Sequence, residues 1–226
     1  MRPAVVLLSG GLDSATCLAW ARRERFAVHA LTVRYGQRHA LEVAPAMALA
    51  AALGATEHRI VDLDLSFLRG SALTDAAVPV PKGRSDVAIA SGIPSTYVPA
   101  RNALFLALAL AWAEALGSRD LVVGVNAIDS SGYPDCRRDF LEAFERLAAV
   151  GTRAGAEGER MRVHAPLAAL TKSEIVSRAA AWGVPLAMTL SCYDPAPDGT
   201  PCGGCDACAL RERGFREAGL TDPSRP

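Results

Sequence analysis

The sequence predicts an α/β protein: a doubly wound sheet of five parallel strands with a small cysteine-bearing module at its C-terminal end. Three observations carry this. Short aliphatic runs alternate with longer helical stretches along most of the chain. The 226 residues suffice for one ordinary α/β domain with a small appendage. Cys192, Cys202, Cys205 and Cys208 cluster late in the chain. The expected division is 1–190 for the main domain and 191–226 for the module.

Taken in order, residues 4–8 form an unbroken aliphatic run, as a strand buried on both faces should. Residues 14–23 read as a helix, 28–33 as a strand, and 41–53 as an alanine-rich helix stopped by Gly54. A third strand is expected at 58–61. Residues 102–116 are a strongly apolar helix stopped by Gly117, followed by a strand at 121–125. A helix at 139–150, a short strand at 163–166 and a helix at 171–182 complete the alternation. Residues 70–101, with prolines at 79, 81, 94 and 99, lack periodicity and read as a functional loop or a surface insertion.

Composition excludes several classes. Twenty-four basic residues balance twenty-four acidic ones, so no excess of charge tracks a phosphate backbone. The longest apolar run, 103–113, has 11 residues, where a spanning helix needs roughly 20. The expected address is the cytoplasm, where cysteines serve as metal ligands or buried thiols rather than disulfides. Neither nucleic acid nor membrane is an expected partner.

Ser9-Gly10-Gly11-Leu12-Asp13-Ser14 follows the first strand and opens the first helix. Glycines there let backbone N–H groups approach an anion, and the helix dipole assists. The motif lacks the Gly-Lys-Ser/Thr ending of a Walker loop and the spacing of a dinucleotide turn. A capped glycine turn is the alternative. The cysteines have the spacing C-x9-C-x2-C-x2-C. Four thiolates suit one tetrahedral zinc, with an iron–sulfur cluster as the rival. Cys17, within the first helix, reads as a core thiol.

Ser-Gly-Gly-Leu-Asp-Ser after an N-terminal strand resembles the pyrophosphate loop of the ATP pyrophosphatase (PP-loop) superfamily, whose members adenylate a substrate oxygen. Further segments narrow the resemblance: Tyr35-Gly36-Gln37-Arg38-His39, Tyr97-Val98-Pro99-Ala100-Arg101-Asn102, Ser131-Gly132-Tyr133-Pro134-Asp135-Cys136-Arg137, Leu170-Thr171-Lys172-Ser173-Glu174-Ile175 and Ser191-Cys192-Tyr193. All fall at strand ends or helix starts, where open α/β sheets bind ligands. In this order, from residue 4 to about 215, they resemble the 7-cyano-7-deazaguanine synthase family of queuosine biosynthesis.

The resemblance implies an adenine nucleotide alpha hydrolase-like fold and a reaction: 7-carboxy-7-deazaguanine and ammonia become the nitrile with ATP, through an adenylated acid and an adenylated amide, releasing AMP and pyrophosphate. It implies that Leu8, Ser9, Gly10, Gly11, Leu12, Asp13, Ser14, Ala15, Thr16, Cys17 and Leu18 hold ATP. Asp13 is a candidate ligand for Mg²⁺ or a helix cap. Arg101 and Lys172 are candidate cations for phosphates or carboxylate. Thr171 and Glu174 form a capping box, so Lys172 falls in a first helical turn, where a cation opposes the dipole by roughly 0.3–1 kcal/mol. Such a local violation marks a functional position, with a solvated surface lysine as the alternative. Asp129, Ser131, Tyr133 and Asp135 are candidates for the base, Tyr133 by stacking. His39 is not counted as catalytic. The resemblance further suggests a homodimer. A PP-loop tRNA-modifying thiolase is the alternative function.

Overall fold

The computed structural model describes residues 1–37, 43–89 and 91–224, with the side chains of 129–131 outside that description. Five strands form one sheet: β1 (Pro3–Leu7), β2 (Ala27–Arg34), β3 (Glu57–Asp62), β4 (Asp120–Val122) and β5 (Arg162–His164). Their order is β3-β2-β1-β4-β5 and every pairing is parallel, as the alternation predicted. Chain order reverses at β1, between β2 and β4. Open sheets bind ligands at such a switch point, beyond the C-terminal strand ends.

The side-chain period of two divides β1 between two cores. Ala4, Val6 and Leu8 join helix α1 (Leu12–Arg23), α2 (Val43–Ala52) and later α8 in one fully buried cluster. Val5 faces the other way, toward Leu31, Val33 and Leu121. That second layer is roofed by α4 (Arg101–Ala115) and α6 (Arg138–Gly151), which follow a short helix α3 (Asp86–Ile89) and α5 (Ala127–Gly132). Helices on both faces leave the central strands dry, which is why their sequences are runs rather than alternations. A short α7 (Arg153–Ala156), α8 (Lys172–Ala181) and α9 (Asp206–Glu217) complete the chain.

Two differences from the sequence reading concern the site. The fourth strand ends at Val122, not 125, and Gly124 just beyond it lies against the start of α1. Residues 127–132, for which no element was expected, are helical. Within 70–101 the structure holds α3 and a bridge from Lys82 to Cys205. Gly83 N–H donates to Gly204 O, and Ala72 and Val80 pack on the cysteines. The loop is thereby fastened to the cysteine module. Among the described residues no helix is long and apolar enough to cross a membrane.

Helix α9 is invisible in the Cys- and Gly-rich composition before it, yet Phe215 enters the main core. Beside it, Arg211 is buried with its whole fork satisfied. Nε and Nη2 donate to the two oxygens of Asp222 at 2.7 and 2.9 Å, and Nη1 donates to Thr189 Oγ1 at 2.7 Å. Removing one partner of such a pair strands the other charge. Arg211→Ala should therefore cost about 3–5 kcal/mol in chemical denaturation. Burial alone would push the Asp222 carboxyl up, but bonds from Arg211 and Ser224 outweigh it and hold it below its ordinary value. The stability this gives is complete above the unfolded value of about 3.9 and is lost as pH falls through the lower folded one. The variant should flatten that acid limb.

Candidate active site

The loop of residues 9–14 does what its glycines imply. Gly10 takes a positive φ of 87°, and its carbonyl accepts from Leu190 N–H at 3.0 Å. Gly11 starts α1 without any side-chain cap, so first-turn N–H groups face the opening beyond the sheet. Ser9 and Ser14 hydroxyls meet at 3.1 Å, and Ser14 Oγ also donates to Gly11 O. This is a concave, hydroxyl-lined helix N-terminus suited to phosphate oxygens.

A cavity of about 280 Å³ opens there, at the ends of β1, β2 and β4. Of the residues expected to hold ATP, Leu8, Ser9, Gly11, Leu12, Asp13 and Ser14 line it. Gly10, Ala15, Thr16, Cys17 and Leu18 do not. Ala15 and Leu18 pack in the core, and Thr16 Oγ1 bonds back to Leu12 O at 2.7 Å. The Cys17 thiol is raised well above its ordinary value, by burial first and Asp13 second, and is an inert core thiol.

Lys172 and Asp13, 159 residues apart in sequence, meet in this cavity. Lys172 Nζ donates to both Asp13 oxygens at 2.8 and 2.7 Å, and Asn126 Nδ2 donates to Oδ2 at 2.8 Å. Their side chains are 14 % and 20 % exposed, so Lys172 is not a solvated surface lysine. The capping box forms as expected: Thr171 Oγ1 accepts from Glu174 N–H, and Glu174 Oε2 from Thr171 N–H. It fixes α8 with Lys172 as its first residue.

Two glycines make this approach possible, and sequence reasoning missed both. A Cβ on Gly124 would lie 3.2 Å from Ser14 N and 3.3 Å from Asp13 C. A Cβ on Gly214, in α9, would lie 2.5 Å from Lys172 Cγ. Asn126 was missed too. The available signal was the run Val123-Gly124-Val125-Asn126 at a strand end, where ligand contacts concentrate.

Arg101 begins α4, after Ala100 in the left-handed region at φ 53°. Its Nη1 donates to the Tyr35 hydroxyl at 3.2 Å, and its guanidinium lies 5.6 Å from the Tyr35 ring and 5.9 Å from that of Phe105. Its Nε is buried and finds no hydrogen-bond partner among the described residues. Among the described residues no carboxylate pairs with it, so there a permanent cation faces the cavity without a counter-ion.

The expected base-reading residues divide. Tyr133 lines the cavity, its hydroxyl 2.8 Å from Thr96 Oγ1. Asp135 lies behind the wall, where Oδ2 accepts from Asn102 N–H at 2.9 Å and holds the start of α4. The backbones of Asp129 and Ser131 belong to α5, but their side chains lie outside the described residues, as does His39 entirely.

The four cysteine sulfurs converge within 4.8 Å of one another. Tetrahedral zinc–thiolate bonds of about 2.3 Å require sulfurs roughly 3.8 Å apart, and Cys192 and Cys205 are 4.0 Å apart. Backbone N–H groups of Asp194 and Cys202 donate to Cys192 Sγ, and that of Tyr193 to Cys205 Sγ. These donors suit thiolates, so the residues present fit a metal ion. Cys192 also lines the large cavity, which places the cluster in its wall.

A parallel sheet with an uncapped, hydroxyl-bearing helix start at its switch point is the architecture of the PP-loop class. An NMN synthetase from Francisella tularensis shares the fold at a TM-score of 0.52, with 18 % identity over 97 % of this chain and 78 % of that one. Residues 3–219 match the family model described as queuosine biosynthesis protein QueC, and the chain belongs to that family. A relative from Anaeromyxobacter sp. (strain Fw109-5), named 7-cyano-7-deazaguanine synthase, is 63 % identical over 98 % of this chain and 94 % of its own. Another of that name, from Thiobacillus denitrificans, is 60 % identical, covering 100 % and 99 %.

Proposed function

We propose that this chain makes 7-cyano-7-deazaguanine from 7-carboxy-7-deazaguanine, ammonia and ATP in queuosine biosynthesis, as an ATP-dependent ligase with one adenylating site. The observation that carries the residue roles is the meeting of Asp13, Asn126 and Lys172 against the uncapped start of α1, facing Arg101, which has no carboxylate partner among the described residues. In this reading residues 8–18 form the ATP loop, with Ser9, Gly11 and Ser14 at the pyrophosphate portion. Lys172 exchanges Asp13 for phosphate oxygens. Arg101 takes the substrate carboxylate, and Tyr133 stacks on the base with Asp129 and Ser131 near it, while Asp135 acts from behind the wall by holding the start of α4. Magnesium arrives with ATP, coordinated mostly by phosphate and water. Asp13 is the one carboxylate among the described lining residues that could touch it.

A carboxylate oxygen attacks the α-phosphorus and pyrophosphate leaves. Ammonia then forms the carbon–nitrogen bond, AMP leaves with the electrons of the broken carbon–oxygen bond, and the nitrogen sheds a proton to solvent. The amide oxygen lands where the carboxylate oxygen was and is adenylated in turn. That second adenylation releases pyrophosphate and one N–H proton, and loss of AMP with the remaining N–H proton gives the nitrile. No step needs a protein nucleophile, so positioning and charge stabilisation carry catalysis.

Residues 1–190 would form the ATP-binding part and 191–226 a structural zinc module, whose full thiolate shell leaves no open position for chemistry. A cytoplasmic homodimer working without nucleic acid completes the reading. Nucleotide counting with mass spectrometry tests it. Two AMP and two pyrophosphate are expected per nitrile, and one of each when the amide is supplied without ammonia. ADP in place of AMP, or dependence on tRNA, would overturn it.

A further inference from the structure

Asn102, the second residue of α4, lines the main cavity beside Arg101. Its Nδ2 donates to Asp135 O at 3.2 Å and to Cys136 Sγ at 3.1 Å. Only a donor can face a carbonyl, so these partners fix which end of the amide is nitrogen. The backbone N–H of Asn102 donates to Asp135 Oδ2 at 2.9 Å. All three bonds run to Asp135 and Cys136, and together they lock the side chain. The amide oxygen Oδ1 is left over. It has no hydrogen-bond partner among the described residues, and unlike Arg101 Nε it is not sealed inside the protein. The space it meets is the cavity that Asn102 lines.

From this geometry we propose that Asn102 Oδ1 accepts a hydrogen bond from an N–H of the deazaguanine base, with Asp135 as the positioning residue that aims it. The inference deepens the function proposed above and rests on it. An amide oxygen repels phosphate and carboxylate oxygens, so its partner must be a donor. The base carries three kinds: the pyrimidine-ring N–H, the exocyclic amino group and the pyrrole N–H. Ribose hydroxyls, the adenine amino group and ammonia are the other donors among the reactants. Placement selects the base. Arg101, next in the chain, is the cation assigned to the carboxylate that the base carries. Around it stand the rings of Tyr35 and Phe105, 5.6 and 5.9 Å from its guanidinium, and flat apolar faces suit a bicyclic ring. The acid and the amide present the same base, so one acceptor serves both adenylations. Asp135 thereby gains a role that its place behind the wall had denied it: it reads the base through Asn102.

A cycle that pairs protein variants with substrate analogues provides the test. Calorimetry on the full metal-loaded chain measures binding of the acid, of the amide and of three acid analogues, each lacking one kind of N–H. Asn102→Ala should weaken the acid and the amide alike, by about 10-fold, while the KM values for ATP and ammonium stay within about twofold. For one analogue, wild type and variant should bind alike within about twofold, because the N–H that Oδ1 accepts is already gone. Asn102→Ser, a residue at ease in a first helical turn, reads the same cycle where the alanine variant folds poorly. Asp135→Ala should reproduce the analogue pattern, which a purely structural role would not. A full loss on all three analogues would return Asn102 to holding α4 alone and overturn the proposal. Unchanged affinity for the acid, or a raised KM for ATP or ammonium in its place, would do so as well. A chain that binds the base in this pattern but makes no nitrile would contradict the reaction alone.

Discussion

Lys172→Ala is expected to lower kcat for AMP formation by about 10²- to 10³-fold, the effect of removing one preorganised charge from a site that works by charge stabilisation. Its KM for ATP should rise as well if, as proposed, the same amine also meets the ground-state phosphates. The variant also strands Asp13, which keeps only Asn126 as a partner. A moderate fall in melting temperature should accompany the kinetic loss. The double variant Asp13→Asn/Lys172→Met removes both charges and should recover stability without recovering turnover. Arg101→Ala should also cut turnover strongly, with a larger rise in KM for the carboxylate than for ATP. Near-normal kinetics for Lys172→Ala would return this lysine to a purely structural role as the partner of Asp13.

Loss of the metal should have the second-largest effect. Four-thiolate zinc sites bind with apparent energies of about 10–16 kcal/mol in small domains. If only ~3 kcal/mol of that is coupled to folding, the melting temperature should fall by roughly 6–12 °C for a chain of this size. Cys205→Ser, at a fully buried ligand position, should reproduce the fall seen with a chelator. Activity should go with it, because Leu190 N–H holds Gly10 O two residues before Cys192, so the metal module braces the pyrophosphate loop. Elemental analysis and thermal denaturation together decide the matter. Iron with visible absorption would replace zinc by a cluster. An unchanged melting temperature after metal loss would remove the structural role.

What was legible in the chain follows from what leaves a local signature. Buried parallel strands are continuous apolar runs, which placed β1, β2 and β4 within a few residues, while the polar, partly exposed edge strands β3 and β5 were placed by the alternation around them. The glycine-serine loop, the cysteine spacing and the capping box at Thr171 are all short-range patterns, and each formed as read. Long-range partnerships leave no such trace. Nothing near position 13 announces that its carboxylate meets Lys172, nor that Asn126 joins them. The oddity of a lysine in a first helical turn pointed to a function, and its structural counterpart is an acid supplied by another helix. Helix α9 was hidden because the composition around 191–208 is that of a metal knuckle, while its helical stretch begins only at Asp206. Asp135 illustrates the reverse case. Its residue type suits base recognition, but its position turns one oxygen toward a helix start.

Gly214 has a consequence for anyone seeking a hardier version of this enzyme. A glycine within a twelve-residue helix invites replacement, since alanine gains up to about 1 kcal/mol of helix propensity. Here the added methyl would collide with the stem of Lys172 and with its backbone carbon, 3.2 Å away. Thermal selection alone could favour the exchange while the amine is levered off Asp13. Screens for robustness in this scaffold should therefore be paired with turnover at every round, with residue 214 held fixed.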